Sequence, residues 1–293
     1  MIDQQLIEDT CVELLRLAAT KLPTDVRDAL EKAYEEEPNE LARTQLAAII
    51  ENIKLAEETS TPMCQDTGVP IFYVALGTEA KVQGDLEEAI RNAVVRATKE
   101  VPLRPNVVHP LTRENPGTNV GEGMPYINYS LLPGEDYIEL TAFPKGVGSE
   151  NMSALAMLKP VEGVAGVKRF VLDTVVKAGA QPCPPTIVGV GIGGSADIAM
   201  KLSKRALLRP LDQRHPDELI ARLERELLEA INSTGIGPMG LGGRTTSLAV
   251  NIEYAYTHTG GLQVGVNIQC WAARRATARI HSDSKVEWLT HPR

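Results

Sequence analysis

The chain has 293 residues, 43% of them hydrophobic and 23% charged, with a formal net charge of −8. That length suits one large domain or two small ones, and the balance is that of an ordinary globular protein. The negative charge excludes general electrostatic attraction to nucleic acid or an anionic membrane, so an anionic ligand would need local cations. No apolar run approaches the roughly 20 residues that span a bilayer. The opening stretch, MIDQQLIEDTCVELL, lacks the basic segment of a secretory signal. The expected protein is therefore cytoplasmic, with neither nucleic acid nor membrane as partner.

Residues 1–58 read as helices. In DQQLIEDTCVELLRLAATKL the apolar positions Leu6, Cys11, Leu14, Leu15 and Ala18 recur every three to four residues. TDVRDALEKAYEEE opens on a Thr24/Asp25 capping signal, and ELARTQLAAIIENIKLAEE continues the helical period. Cys11 falls on the apolar face of the first helix and is expected in the core, where a thiol behaves as a small hydrophobe. After the polar loop TPMCQDTG, VPIFYVALG reads as a strand and DLEEAIRNAVVRATKEV as an amphipathic helix. Residues 102–125 form a long irregular stretch; such loops in compact domains are usually functional or disordered. YINYSLL, the turn PGED and YIELTAF predict a β-hairpin. The loop PKGVGSEN leads into helices through GVKRFVLDTVVKAG. TIVGVGI reads as a buried strand, and SADIAMKLSKRALL and PDELIARLERELLEAINS as helices. GIGPMGLGG is a glycine-rich connector, and TSLAVNIEYAY and LQVGVNIQC read as paired strands joined through THTGG. No internal repeat or linker stands out. The expected fold class is α/β with mixed sheets, a single domain over residues 1–293 in which 1–58 form a helical N-terminal lobe.

The four cysteines are Cys11, Cys64, Cys183 and Cys270, with no CxxC pair. A reducing compartment disfavours disulfides. Cys64, Cys183 and Cys270 share one setting: each lies at an element boundary beside proline or a polar amide. Any one alone reads as an ordinary loop cysteine. Together they point to a three-thiolate metal site, which suits zinc with an open position or an iron–sulfur cluster. Their wide spacing does not choose between the two.

In order along the chain, CQDTG, KGxGSEN, CPPTIVGVGIGGS, GIGPMGLGG and QCWAARRAT resemble the iron–sulfur class of fumarases and the related tartrate dehydratases. The likeness is to their alpha subunit, equivalent to the N-terminal domain of the single-chain forms, and runs from about residue 60 to about residue 280. It implies a [4Fe-4S] cluster held by Cys64, Cys183 and Cys270, with a fourth iron open to substrate. It implies reversible addition of water across a dicarboxylate double bond. It also implies substrate-facing positions at Gln65 and Asp66, at Arg104 in PLRPN, at Gly146 and Gly148 in the KGVGS loop, and at His258 in YTHTG.

Those residue types suit the chemistry. Asp66, adjacent to Cys64, is placed to act as or support a base. Arg104 can pair bidentately with a carboxylate. His258 and Gln65 can donate to carboxylate oxygens and so stabilise developing charge. Asp66 and His258 are the expected catalytic residues. Each position also has a plainer reading. Arg104 could be a surface arginine, His258 the cap of a hairpin loop, and Asp66 the start of an Asx-turn before Thr67-Gly68. His109, His215, His281 and His291 read as solvent or structural histidines.

The expected reaction is hydration of fumarate to L-malate, with tartrate or mesaconate as the alternative substrate. The rival from another class is a non-catalytic cluster- or zinc-binding module, which would have no need of Asp66, Arg104 and His258. A beta subunit that completes the site, in a dimer of heterodimers, is the expected partner. Two details depart from simple patterns. Gly189 to Gly194 satisfies the dinucleotide fingerprint GxGxxG but sits mid-chain after a proline-flanked cysteine, so close backbone packing is expected instead. Relatives carry three consecutive glycines where this chain has Gly146-Val147-Gly148. Valine disfavours positive φ, so position 147 is expected either extended or strained.

Overall fold

The computed structural model describes residues 1–292. In chain order its elements are β1 (Ile2–Asp3), α1 (Gln4–Thr20), α2 (Thr24–Glu36), α3 (Glu40–Thr59), β2 (Ile71–Gly77), β3 (Val82–Gln83), α4 (Leu86–Glu100), β4 (Tyr126–Leu132), β5 (Tyr137–Ala142), α5 (Val147–Glu150), β6 (Ala154–Leu158), α6 (Gly163–Ala178), β7 (Thr186–Ile192), α7 (Ala196–Ala206), α8 (Glu218–Asn232), β8 (Ser247–Tyr254), β9 (Leu262–Gln269), β10 (Ala276–His281) and β11 (Val286–Trp288). The class is α/β, as expected. Local chemistry sets several helix starts. Asp3, Asp85 and Asp217 each turn a carboxylate back onto a first-turn amide of α1, α4 and α8, at 2.8, 3.0 and 2.9 Å. Asn39 does the same for α3, accepting from Leu41 and Ala42.

The chain divides into two units: Met1–Thr24, Asn52–Gly146 and the chain from Arg274 onward in the first, Asp25–Glu51 and Val147–Ala273 in the second. The first is built on a five-stranded sheet in the order β11-β10-β5-β2-β4. Along β2, alternation buries Phe72 and Val74 against α1 and α4, together with Cys11, Leu14, Leu15, Ile90 and Val94. Each such large side chain removed from water contributes roughly 1.5–3 kcal/mol. Arg96 of α4 ties the two helices by pairing with Glu8 and Asp9 of α1 at 2.6 and 2.7 Å.

YINYSLL and YIELTAF are strands, but they do not form the expected hairpin. β2 lies between them, parallel to β4 and antiparallel to β5. The turn between them passes over the end of β2. Thr78 N–H donates to Leu132 O at 3.0 Å and Glu79 N–H to Glu135 O at 2.9 Å. A Cβ on Gly77 would lie 2.3 Å from Glu135 O, so only glycine fits under the turn.

The second unit carries a four-stranded sheet in the order β6-β9-β7-β8. Here too the expected pairing of the consecutive strands, β8 with β9, is replaced by insertion of an earlier strand, β7. The stretch between the KGVGSEN loop and α6 was expected to be helical but contains the edge strand β6, antiparallel to β9. Its Ala, Leu and Met residues favour helix intrinsically, and tertiary pairing overrides that preference. The glycines of the GxGxxG stretch serve packing: a Cβ on Gly189 would sit 2.1 Å from Ser203 O, and one on Gly191 2.0 Å from Ala199 O, both in α7.

The candidate active site

In the first unit the Cys64 loop is anchored from both sides of Met63. Met63 N–H donates to Ala19 O at 3.0 Å, and Met63 O accepts from Asn52 Nδ2 at 2.9 Å. Beyond Cys64, Asp66 makes the Asx-turn contact: its Oδ1 accepts the Gly68 amide at 2.9 Å. Asn106 Nδ2 also donates to that oxygen, at 3.3 Å, and to Gly68 O at 3.2 Å. Gly68 adopts φ +83°, and a Cβ there would come within 2.8 Å of the Pro144-Lys145 backbone, so both conformation and space call for glycine.

The same contacts fix the stretch that carries Arg104. Buried Thr67 accepts the Arg104 amide at 3.0 Å, and buried Asn119 donates to Arg104 O at 3.0 Å while accepting the amides of Asn106 and Val107. The Arg104 residue itself is exposed, as is Gln65; Cys64 and Asp66 are half-buried. The strand-like bridge between Val69 and Lys145 brings the start of the KGVGS loop alongside. Arg274 completes the group. Its side chain is buried, its Nη1 donates to Asp66 O, and its Nη2 lies against Gly146.

Thr67, Asn106, Asn119 and Arg274 were missed as site residues from sequence. Asn106 and Arg274 stand inside motifs that were read, PLRPN and QCWAARRAT, and two adjacent arginines just before a strand were the available signal for the latter. Thr67 and Asn119 carry no such signal, because their role is to bond backbone far away in sequence.

In the second unit Cys183 precedes β7 and Cys270 follows β9, which pair antiparallel, so the two cysteines lie at the same end of the sheet. The Trp271 amide donates to Cys183 O at 3.2 Å. Cys183 holds φ 53°, a conformation that few non-glycine residues take and that clusters at functional sites. Gly148 faces the same loop; a Cβ on it would lie 3.5 Å from Gln181 O. His258 is elsewhere. It sits in the loop after β8, at the end of the sheet where Ile192 pairs with Tyr254, roughly 20 Å of strand from the cysteine end. Its Nδ1 accepts the Gly260 amide at 3.0 Å, the turn-capping role of the plainer reading. His109 and His215 cap turns in the same way.

Val147 is neither extended nor strained. It is the first residue of α5, 58% exposed, and neither it nor its flanking glycines has positive φ. The space beside Gly146, rather than backbone freedom, is what the loop needs.

The donor chemistry fits a thiolate-held cluster. Cys64, Cys183 and Cys270 are all partly exposed in loops, whereas Cys11 is fully buried. Burial, and secondarily Glu8, push the Cys11 thiol far above its ordinary range, which keeps it protonated and unfit as a ligand. Among the described residues no three His, Cys, Asp or Glu side chains converge where one metal ion could be held. No helix among the described residues is long and apolar enough to cross a membrane.

Comparisons with known proteins agree with the five motifs. The fumarate hydratase (Fumerase) family model matches residues 8–279. A Methanocaldococcus jannaschii protein named "Putative L(+)-tartrate dehydratase subunit alpha" is 57% identical over 284 residues, covering 96% of this chain and 99% of the relative. "L(+)-tartrate dehydratase subunit alpha" of Escherichia coli (strain K12) is 36% identical over 277 residues, 94% of this chain and 91% of the relative, and the Shigella sonnei protein of that name matches to the same extent. The chain belongs to the fumarate hydratase family and is a hydro-lyase.

Proposed function

We propose that the chain is the alpha subunit of a dehydratase acting on L(+)-tartrate. The carrying observation is the 57% identity, over nearly the whole of both chains, to a relative named for that activity. Fumarate, the first expectation from sequence, becomes the second reading, favoured by the family description alone.

Cys64, Cys183 and Cys270 would hold a [4Fe-4S] cluster. Bound there, it would supply a Lewis acid that eases loss of hydroxide. Asp66 is the base that takes the proton from the carbon beside the leaving hydroxyl. Its Oδ1 accepts from the Gly68 amide and Asn106, which orients the carboxylate, and its Oδ2 faces Gly146. Arg104 binds a substrate carboxylate, with its backbone held by Thr67 and Asn119. Loss of water from tartrate leaves an enol that tautomerises to oxaloacetate. His258 is assigned no step alongside Cys183 and Cys270, because the length of the sheet separates it from them.

The relatives' names carry the word "alpha", and we read the chain as half of a heteromer in which a beta subunit completes the site, assembled as a dimer of heterodimers. The test is anaerobic reconstitution of the chain with and without that subunit, followed by assays on L(+)-tartrate, fumarate, malate and mesaconate. The expected result is turnover of tartrate by the complex and little or none by the chain alone. Preference for fumarate would move the substrate back to the family description, and full activity of the isolated chain would remove the partner.

A further inference from the structure

We propose that Arg274 is a positioning residue that sets the Asp66 carboxylate for proton transfer; this rests on the hydro-lyase reading of the site. Arg274 is 2% exposed and among the largest fully buried side chains. A guanidinium removed from water is costly unless its donors are satisfied. Here Nη1 donates to the backbone carbonyl of Asp66, and the buried Nε has no hydrogen-bond partner. As a device for stability alone this is poor, since apolar side chains of similar volume usually replace buried charges without loss.

The geometry points to alignment instead. Nη2 lies against Gly146: a Cβ added there would be 2.8 Å from Nη2 and 3.2 Å from Asp66 Oδ2. Gly146 does not have positive φ, so the glycine provides room for these two groups. Asp66 is then held at three points, its carbonyl by Arg274 and its Oδ1 by the Gly68 amide and Asn106. These contacts fix both the backbone and the side-chain torsions, and they turn Oδ2 toward the gap at Gly146. Arg274 acts through the loop backbone that it holds.

The test uses the complete alpha–beta complex with its cluster, comparing Arg274→Lys, Arg274→Gln and Gly146→Ala with the wild type. A misplacement of about 1 Å costs on the order of 100-fold in rate. Arg274→Gln is therefore expected to lose about that much in kcat with KM changed by less than about 3-fold, and Arg274→Lys to recover part of the loss. Gly146→Ala, which crowds Nη2, is expected to lower kcat in the same sense. Amide hydrogen exchange of Gly68 should quicken in each variant, while iron and acid-labile sulfide stay at the wild-type level. A raised KM with unchanged kcat would make Arg274 a substrate-binding group and overturn the proposal. So would loss of cluster with collapse of both constants in Arg274→Lys, which would show a scaffold role only. Unchanged Gly68 exchange would overturn it too. A wild-type complex that dehydrates no dicarboxylate would overturn the hydro-lyase assignment of the site, and the exchange of Gly68 would still decide whether Arg274 clamps the loop.

Discussion

One thiol can be core or ligand depending on where the backbone places it. Cys11 is enclosed on α1 among Leu14, Leu15 and Phe72, while Cys183 sits in a loop at φ 53° with its sulfur 4.0 Å from Gln181 O. This contrast predicts the outcome of single substitutions. On the proposed cluster reading, Cys64→Ser, Cys183→Ser and Cys270→Ser should each lose the cluster after anaerobic reconstitution, because thiolates would be its protein anchors. Cys11→Ala should keep iron and sulfide at the wild-type level, at a stability cost of about 1–2 kcal/mol for the cavity left behind. Equal loss of iron on changing Cys11 would defeat the ligand assignment. At this scale the site was half legible. Asp66 in its Asx-turn and Cys11 in the core follow from adjacent residues. Asn106, Asn119 and Arg274 did not, because their partners lie 40, 15 and 208 residues away. Val147 also changes the reading of its loop. The sequence left position 147 either extended or strained, and at the start of α5 it is neither. Val147→Ala is expected to leave stability within about 0.5 kcal/mol, as an exposed substitution, and a larger change in urea denaturation would show that the side chain packs more than its exposure implies.

Elements were legible where a period ran long enough. The apolar spacing marked α1 and α4, and the Thr24/Asp25 signal marked the start of α2. The pairing of the two expected strand pairs was not legible. Neighbouring strands with a short connection favour a hairpin, and nothing in YINYSLL or LQVGVNIQC records that β2 or β7 will come between the pair. The clue lay in small residues. Gly189, Gly191 and Gly265 remove every Cβ from the path of α7 across β7 and β9, which lets the helix approach the middle of the sheet. Gly191→Ala is therefore expected to destabilise by about 2–3 kcal/mol or more, since its Cβ would meet the backbone of Ala199 and Ser203 rather than a movable side chain. Gly121 gives the control. Its φ is ordinary and the nearest atom to an added Cβ is Val107 Cγ1 at 3.7 Å, so Gly121→Ala should be neutral or gain about 0.4–1 kcal/mol. Urea unfolding of both variants checks the pair; equal stability would mean that α7 can retreat without loss.

The two units repeat one connectivity. In each, a strand is followed by a helical crossover to a parallel neighbour and then by a strand on the other side of the first: β2, α4, β4, β5 in one and β7, α7 and α8, β8, β9 in the other. A cysteine precedes the first strand in both, Cys64 in one and Cys183 in the other. Sequence showed no repeat, because what recurs is the order of pairing and not the side chains that fill it. Stability of the whole chain also depends on a residue that sequence left as a plain histidine. His291 is buried near the end of the first unit. Its Nε2 donates to Lys21 O at 3.2 Å, and its Nδ1 lies 2.9 Å from Thr290 Oγ1. That hydroxyl already accepts the Thr277 amide, so its proton is available for Nδ1, and the ring is held as the neutral tautomer. Burial lowers its pKa from 6.5 to about 4; the hydrogen bond to Lys21 O opposes this, and the positive charges of Lys21 and Arg275 add to the lowering against the weaker effect of Glu57. Unfolding releases the ring to take up a proton, so between those values the unfolded chain binds more protons than the folded one. The histidine's contribution is intact above about pH 6.5 and declines as the pH falls toward 4, by up to roughly 3 kcal/mol. His291→Gln keeps a donor for Lys21 O but has nothing to titrate. Urea unfolding at about pH 7.5, 5.5 and 4.5 should show a steeper acid loss in the wild type than in His291→Gln, and parallel losses in the two proteins would place the acid sensitivity elsewhere.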